Sequence, residues 1–362
     1  MRGKDVVLQN VSVMFGDFTA VHPTDLQINA SEFFSILGPS GCGKTTMLRL
    51  VSGFLEPSSG RVLIGDEDMA GVGPHKRPTA LIFQNLALFP LMPVWENVAF
   101  GLEMRDWPKD KRRDRAYELL DLVALRDQAK KLPADLSGGQ RQRVAVARAL
   151  AVEPSVLLLD EPLSALDLKL RQHMRAELKD IQRKTGITFV YITHDQGEAL
   201  AMSDRIAVMK DGVILQVDTT DRVYDDPATP FVASFVGENN IIRGEIERRD
   251  GGYGVIATAH GSFRARNPRG LGVGAKAMLF VRPEKMRIVT GSEAPENRVR
   301  VSFLRRDLEG PFVNLFFQKD DLVFAIHLTN AGEAGREVPE TLEIAFEPDD
   351  SMVMEAGELA DE

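Results

Sequence analysis

Residues 33–46 read Phe-Phe-Ser-Ile-Leu-Gly-Pro-Ser-Gly-Cys-Gly-Lys-Thr-Thr. Phe33, Phe34, Ile36 and Leu37 surround Ser35 in a short apolar run, as in a strand buried on both faces. Gly38 ends the run. Gly38-x-x-x-x-Gly43-Lys44-Thr45 then has the spacing of a loop that wraps a phosphate. Its glycines let backbone N–H groups close around an anion, and a helix beginning at Lys44 adds the positive end of its dipole. Gly53 is expected to stop that helix after Ser52. A strand, a glycine loop and a helix in this order point to an α/β fold around a largely parallel sheet. The loop makes Gly38, Pro39, Ser40, Gly41, Cys42, Gly43, Lys44, Thr45 and Thr46 candidate phosphate-site residues. Lys44 would reach the phosphates, and the Thr45 hydroxyl would ligate Mg²⁺.

Two further apolar runs end on polar residues. Residues 156–159 (VLLL) are followed by Asp160 and Glu161, and residues 188–193 (TFVYIT) by His194. Ligands gather at the carboxyl ends of strands in open α/β sheets. There, one carboxylate can hold Mg²⁺ through water and a second can accept a proton from an attacking water. Between the runs, Leu136-Ser137-Gly138-Gly139-Gln140 reads as a Gly-rich turn opening a helix. Residues 163–184 carry apolar positions at helical spacing and are expected to form one amphipathic helix.

After about residue 240 the pattern changes to short alternating runs at 299–303, 313–317 and 322–328, separated by turn signals. A small, barrel-like all-β domain is expected there, with Pro227 and Pro230 marking a linker. The expected boundaries are 1–238 for the first domain, 239–350 for the second and 351–362 for an acidic tail. Residues 349–362 hold six acids and no base, which is most of the chain's net charge of −9. Neither the charge nor its distribution suggests a nucleic-acid binder.

At 362 residues, with 44% hydrophobic and 27% charged residues, the chain suits two soluble domains with full cores. No apolar run approaches the roughly 20 residues that span a bilayer, and MRGKDVVLQN lacks a signal-peptide core. Cys42 is the one cysteine, which excludes an intrachain disulfide and fits a reducing cytosol. Its place beside a helix start and near Lys44 would favour the thiolate, so that alkylation would inhibit the protein and bound nucleotide protect it. An inert buried thiol is an equal alternative. The six histidines show no metal-ligand spacing.

The run LSGGQRQRVAVARALAVEPSVLLLDEPLSALD at 136–167, with the loop upstream, resembles the ATPase subunits of ABC importers nearly position for position. The resemblance implies a P-loop ATPase domain with a helical subdomain, followed by a small OB-like β domain of the TOBE type. It implies ATP and Mg²⁺ as ligands. Gln84 matches a glutamine that senses Mg²⁺ and the γ-phosphate. Ser137, Gly138, Gly139 and Gln140 match the signature that caps ATP held by another subunit. Asp160 matches a metal-holding aspartate and Glu161 the catalytic glutamate. Asp167, His194 and Phe15 match a dimer-contact aspartate, a switch histidine and an adenine-stacking ring. Phe15 is equally compatible with an ordinary core position.

LALFPLMPVWENVAFGL (86–102) is similar to the segment that docks a permease, while Val281-Arg282-Pro283-Glu284 and Gly237-Glu238-Asn239-Asn240 resemble TOBE sequence. QRKTGITFV (182–190) and MSDRI (202–206) look most like the spermidine/putrescine branch. The implied partners are a second copy in a head-to-tail ATP sandwich, two permease subunits and a periplasmic or surface solute-binding protein. The implied place is the cytoplasmic face of a bacterial inner membrane. Iron(III), a sugar or another amine are alternative solutes. A soluble ABC ATPase fits less well, because no heptad array lies between Gly43 and Leu136 and only one ATPase domain is present.

Overall fold

The computed structural model describes residues 2–290, 294–330, 332 and 338–357. They belong to two units, residues 1–226 and 227–362.

The first unit contains two sheets. An antiparallel sheet, ordered β2-β1-β4-β5, joins β1 (Val6–Phe15), β2 (Phe18–Ile28), β4 (Ser59–Ile64) and β5 (Glu67–Asp68). The larger sheet holds β3 (Phe33–Leu37), β6 (Thr79–Ile82), β7 (Val156–Asp160), β8 (Thr188–Thr193), β9 (Arg205–Lys210) and β10 (Val213–Thr219). Its order is β10-β9-β3-β8-β7-β6, parallel except where β10 turns back on β9. All five residues of β3 and all six of β8 are buried. That burial is the reason these strands read as continuous apolar runs rather than alternating ones. Phe33 pairs with Phe189, and Phe34 with both Val190 and Arg205.

Helix α1 (Lys44–Ser52) sits between the two sheets, its Met47, Leu48, Leu50 and Val51 packed with Leu8, Val62, Phe34 and Ile192. Gly53 ends it with φ of 80°, as the glycine predicts. A second device holds this end. Arg77, 6% exposed, donates from Nη1 to Leu50 O (2.7 Å) and Val51 O (3.0 Å), from Nη2 to Met69 O (3.0 Å) and from Nε to Val72 O (2.8 Å). One guanidinium thus satisfies carbonyls that a helix end leaves open, and its charge complements the dipole.

The other face of the sheet carries α2 (Val94–Glu103), α3 (Lys109–Leu122), α4 (Gly138–Ala151) and α5 (Leu168–Thr185), around Phe33, Leu157, Leu159, Phe189 and Tyr191. The short α6 (Gln196–Met202) and α7 (Thr220–Asp225) complete the unit. Helix α5 starts at Leu168, not at 163 as its apolar spacing suggested. Asp167 stops the helix from extending backwards, since its carboxylate caps Leu170 N at 3.0 Å with extended backbone.

Among the described residues the second unit is all β apart from α8 (Pro230–Phe235) and short turns. Strands β11 (Asn240–Asp250), β12 (Tyr253–Thr258), β13 (Gly261–Arg266), β14 (Lys276–Val281) and β20 (Ser351–Glu355) close a barrel in the order β11-β12-β13-β20-β14. Beside it, β15 (Arg287–Ile288), β16 (Asn297–Glu309), β17 (Phe312–Lys319), β18 (Leu322–Thr329) and β19 (Thr341–Phe346) form an open sheet ordered β15-β19-β16-β17-β18. The three runs that suggested a barrel therefore lie in the open sheet.

Two expected boundaries shift. Residues 227–238 belong with the second unit, because Ala233 packs on Met278, Phe280, Met352 and Met354 and Arg282 Nη1 holds Val236 O at 2.7 Å. Residues 351–355 are a barrel strand paired to β14, not the start of a tail. Acid counting outweighed the buried Met352, Val353 and Met354. Ala356 packs into the same cluster, and residues 358–362 of the expected tail lie outside the described residues.

Candidate functional site

The glycine loop leaves the carboxyl end of β3 under tight steric limits. A Cβ on Gly38 would lie 2.2 Å from Met209 O, and one on Gly43, which has φ of 105°, would lie 2.7 Å from Ala20 O. Both positions exclude any side chain. Lys44, 5% exposed, turns its ammonium back over the loop and donates to Gly38 O and Pro39 O at 2.8 Å each. The loop is thereby held as a closed ring of backbone groups with a positive centre, suited to a polyphosphate.

Thr45 Oγ1 donates to Asp160 Oδ1 at 3.3 Å, joining the start of α1 to the end of β7. Burial pushes the Asp160 carboxyl above its usual range, against the lowering effect of the Thr45 bond. A hydroxyl and a desolvated carboxylate are the hard oxygen donors that Mg²⁺ takes, with phosphates and water completing its shell. Among the described residues no group of three or more His, Cys, Asp or Glu forms a metal cage. These two oxygens fit a metal that arrives with a phosphate ligand.

Cys42 corrects the expectation of a reactive thiolate. Its side chain is 2% exposed, and a Cβ on Gly38 would lie 2.7 Å from its Sγ. Burial raises the thiol's pKa, outweighing Lys44 and the loop amides. Cys42 therefore enters the site through its backbone alone. In the native protein it should react with a disulfide reagent at least about tenfold more slowly than a free thiol. Thiol release measured by absorbance tests this, and immediate stoichiometric labelling would contradict it.

Residues Glu161 and His194 leave neighbouring strands, with Asp160 paired to Ile192. His194 Nδ1 lies 3.0 Å from Glu161 Oε2. Glu161 itself has φ of 43°, a left-handed conformation that a non-glycine residue adopts at a cost of about 1–2 kcal/mol. Its backbone is fixed on both sides: its N–H donates to Ile192 O at 3.1 Å, and Ser164 Oγ donates to its carbonyl at 2.8 Å. Gln84 joins the same group by donating Nε2 to Ser164 Oγ at 3.2 Å. Thus Thr45 meets Asp160, while Gln84 reaches Glu161 and His194 through Ser164.

The other sequence-derived residues stand apart. Ser137 caps α4: its Oγ accepts from Gln140 N at 3.3 Å, and its N–H donates to Gln140 Oε1 at 2.9 Å. Gly138 and Gly139 admit close packing, since Cβ atoms there would lie 2.9 Å from Leu166 Cδ2 and 2.8 Å from Leu170 Cδ1. Asp167 is occupied as the cap of α5. Among the described residues, none of these is hydrogen-bonded to the loop at 38–46 or to Glu161. Phe15 is not core: it is 53% exposed, paired with the equally open Phe18 at the β1–β2 hairpin.

The sequence reading missed the buried network behind His194. Tyr191 Oη and Thr193 Oγ1 donate to Glu198 Oε2 at 2.6 and 2.7 Å. Asp195 caps Glu198 N at 2.9 Å while Arg171 and Arg175 of α5 grip its two oxygens at 3.1 and 3.2 Å. The Asp195-x-x-Glu198 spacing, an N-cap pattern, was the available signal. Burial, and then the Glu198 charge, push the Tyr191 hydroxyl well above its usual range, so it serves as a donor.

A family model described as ABC transporter matches residues 21–164. The spermidine/putrescine import ATP-binding protein PotA of Acidothermus cellulolyticus is 51% identical over 289 residues, covering 78% of this chain and 75% of that protein. Its namesake from Rubrobacter xylanophilus is 52% identical over 297 residues, covering 81% and 78%. Among solved structures, cbiO1 from Clostridium perfringens, described as part of an ABC transporter complex, is similar with a TM-score of 0.58 and 29% identity, covering 62% of this chain and 91% of that one. A dimeric post-hydrolysis ATP-binding cassette bound to ADP and Pi is similar with a TM-score of 0.52 and 34% identity, covering 59% and 98%.

Proposed function

This chain belongs to the ABC transporter ATP-binding family, and from that premise we propose that it hydrolyses ATP to drive import of a polyamine, spermidine or putrescine. Support for the chemistry comes chiefly from one observation: Thr45–Asp160 at 3.3 Å and Glu161–His194 at 3.0 Å gather at the strand ends beside the phosphate loop. The solute rests on the relatives at 51% and 52% identity.

In this function the amides of residues 38–46 and the Lys44 ammonium hold the phosphates of ATP. Lys44 would exchange its bonds to Gly38 O and Pro39 O for phosphate oxygens. Thr45, Asp160 and Gln84 would hold Mg²⁺, which when bound neutralises phosphate charge. Glu161 takes a proton from the attacking water, and His194 keeps the Glu161 carboxylate aimed. Phosphoryl transfer asks little else of the protein than position and charge. Phe15, already exposed, offers its ring to the adenine.

Residues 137–140 and Asp167 act on ATP held by a second copy, so two chains meet head to tail around two nucleotides. The dimeric neighbour supports that assembly. Two permease subunits and a solute-binding protein complete the importer, with this chain on the cytoplasmic face of the inner membrane. No helix among the described residues is long and apolar enough to cross a membrane, which suits a peripheral subunit.

The test is ATPase activity of the chain reconstituted with the permease subunits and the solute-binding protein of its importer. Spermidine or putrescine should stimulate hydrolysis at least about fivefold. Stimulation by a sugar or an iron(III) complex, with none by polyamines, would overturn the assigned solute.

A further inference from the structure

The segment that follows Gln84 contains an unusual bend. Leu86 and Ala87 have φ of 59° and 46°, two consecutive non-glycine residues in the left-handed region. Short local bonds begin the bend, from Leu86 N to Phe83 O (2.8 Å) and from Ala87 N to Asn85 O (2.7 Å). Branched and methyl side chains disfavour this backbone, so something outside the bend must hold it.

Arg148 of α4 is the group in place to do so. Its Nη1 donates to Ala87 O and its Nη2 to Leu86 O, both at 2.6 Å. The guanidinium also lies 5.7 Å from the centre of the Phe89 ring. Beyond it, the fully buried Asn97 accepts from Phe89 N at 2.8 Å and donates to Phe89 O at 3.1 Å. Upstream, Gln84 meets Ser164, which holds the Glu161 carbonyl. The segment is therefore tied at both ends, and Arg148 ties its strained middle. A planar fork suits two adjacent carbonyls, which a lysine ammonium would contact only as a point charge.

We propose that Arg148 is a positioning residue for Gln84, its fork keeping residues 86 and 87 left-handed and so aiming Gln84 at Ser164 and Glu161. Arg148 touches no substrate in this scheme. It also lies on the helix capped by Ser137 and Gln140, so one rigid helix carries both the signature turn and the anchor of the Gln84 segment. With ATP hydrolysis as proposed above, a shift of α4 is felt at Gln84 without contact between the two.

The experiment compares Arg148→Ala, Arg148→Lys and the double variant Arg148→Ala/Ala87→Gly in the full chain. Steady-state ATPase is measured alongside amide hydrogen exchange at residues 86–89. Arg148→Ala should lower kcat about tenfold, leave KM for ATP within about twofold and speed exchange at 86–89 at least about tenfold. Arg148→Lys should fall nearly as far, because it keeps the charge and loses the fork. Ala87→Gly in the Arg148→Ala background should recover at least about threefold in kcat, since glycine is left-handed without strain.

Unchanged kcat in Arg148→Ala would overturn the proposal. So would a loss that Ala87→Gly does not repair, or a fall in kcat matched by rising KM and a lower Tm. Unchanged exchange at residues 86–89 would overturn it whatever the activity. A parent chain without ATPase would instead sink the proposed function, while the exchange data would still report on the clamp.

Discussion

Glu161→Gln is expected to bind ATP as the parent chain does and to hydrolyse it roughly 10²- to 10⁴-fold more slowly, the range of a lost general base. At 1.36 kcal/mol per tenfold, that range is about 3–5 kcal/mol of barrier. The substitution is nearly isosteric, and the position of residue 161 is set by its backbone. Ile192 O and Ser164 Oγ grip that backbone at 3.1 and 2.8 Å. The amide therefore sits where the carboxylate sat, beside His194, and loses only the capacity to take a proton. Single-turnover hydrolysis and nucleotide binding separate the two effects. ATP-dependent dimers should accumulate on size-exclusion chromatography, because release of the assembly awaits hydrolysis. Turnover near the parent value would remove Glu161 from the role of base.

Lys44→Ala should fail earlier, at binding. A hydrogen bond to a charged partner is worth about 1.5–3 kcal/mol, so ATP affinity should fall about 10- to 150-fold. Turnover should fall further, because negative charge develops on the leaving β-phosphate oxygen as the P–O bond breaks, and Lys44 would help to neutralise it. The fold should survive, since among the described residues the Lys44 ammonium bonds to carbonyls of its own loop, Gly38 O and Pro39 O. Lys44→Arg should not restore binding, as the larger planar fork does not fit where Lys44 is 95% enclosed by the loop and sheet (5% exposed). Equilibrium titration with a fluorescent ATP analogue, with thermal melts as the control for folding, measures the effect. Affinity within about threefold of the parent would place Lys44 away from the phosphates.

What the sequence disclosed and what it hid divide along physical lines. Strands β3, β7 and β8 were visible because burial on both faces leaves an unbroken apolar run. Helix α1 was visible because Gly43 and Gly53 punctuate it. The turn at 136–140 was legible as a helix opening, and the capping bonds of Ser137 and Gln140 give that reading its geometry. Periodicity alone overran at residues 163–167, where the cap formed by Asp167 outweighs apolar spacing.

The supporting residues were hidden for a common reason. Arg77, Arg148 and Asn97 each act on backbone groups of another segment, and such bonds leave no mark in local composition. Cys42 left two readings open, a thiolate favoured by the helix start and Lys44 or an inert buried thiol, and burial in the folded loop decides for the second. Strand β20 was masked by its acidic surroundings, although Met352, Val353 and Met354 carried the apolar signal.

The strand that bears the phosphate loop has both edges filled by strands made much later. Phe33 waits for Phe189 and Phe34 for Arg205 before the sheet is complete around β3. As the chain leaves the ribosome in order, the glycine loop emerges early but has no sheet to stand on until residue 208 is available to pair with Leu37. Such distant pairing slows folding and leaves apolar edges open meanwhile. A nascent chain therefore cannot frame the glycine loop before nearly the whole first unit exists, so a half-made copy carries the loop's sequence without its site.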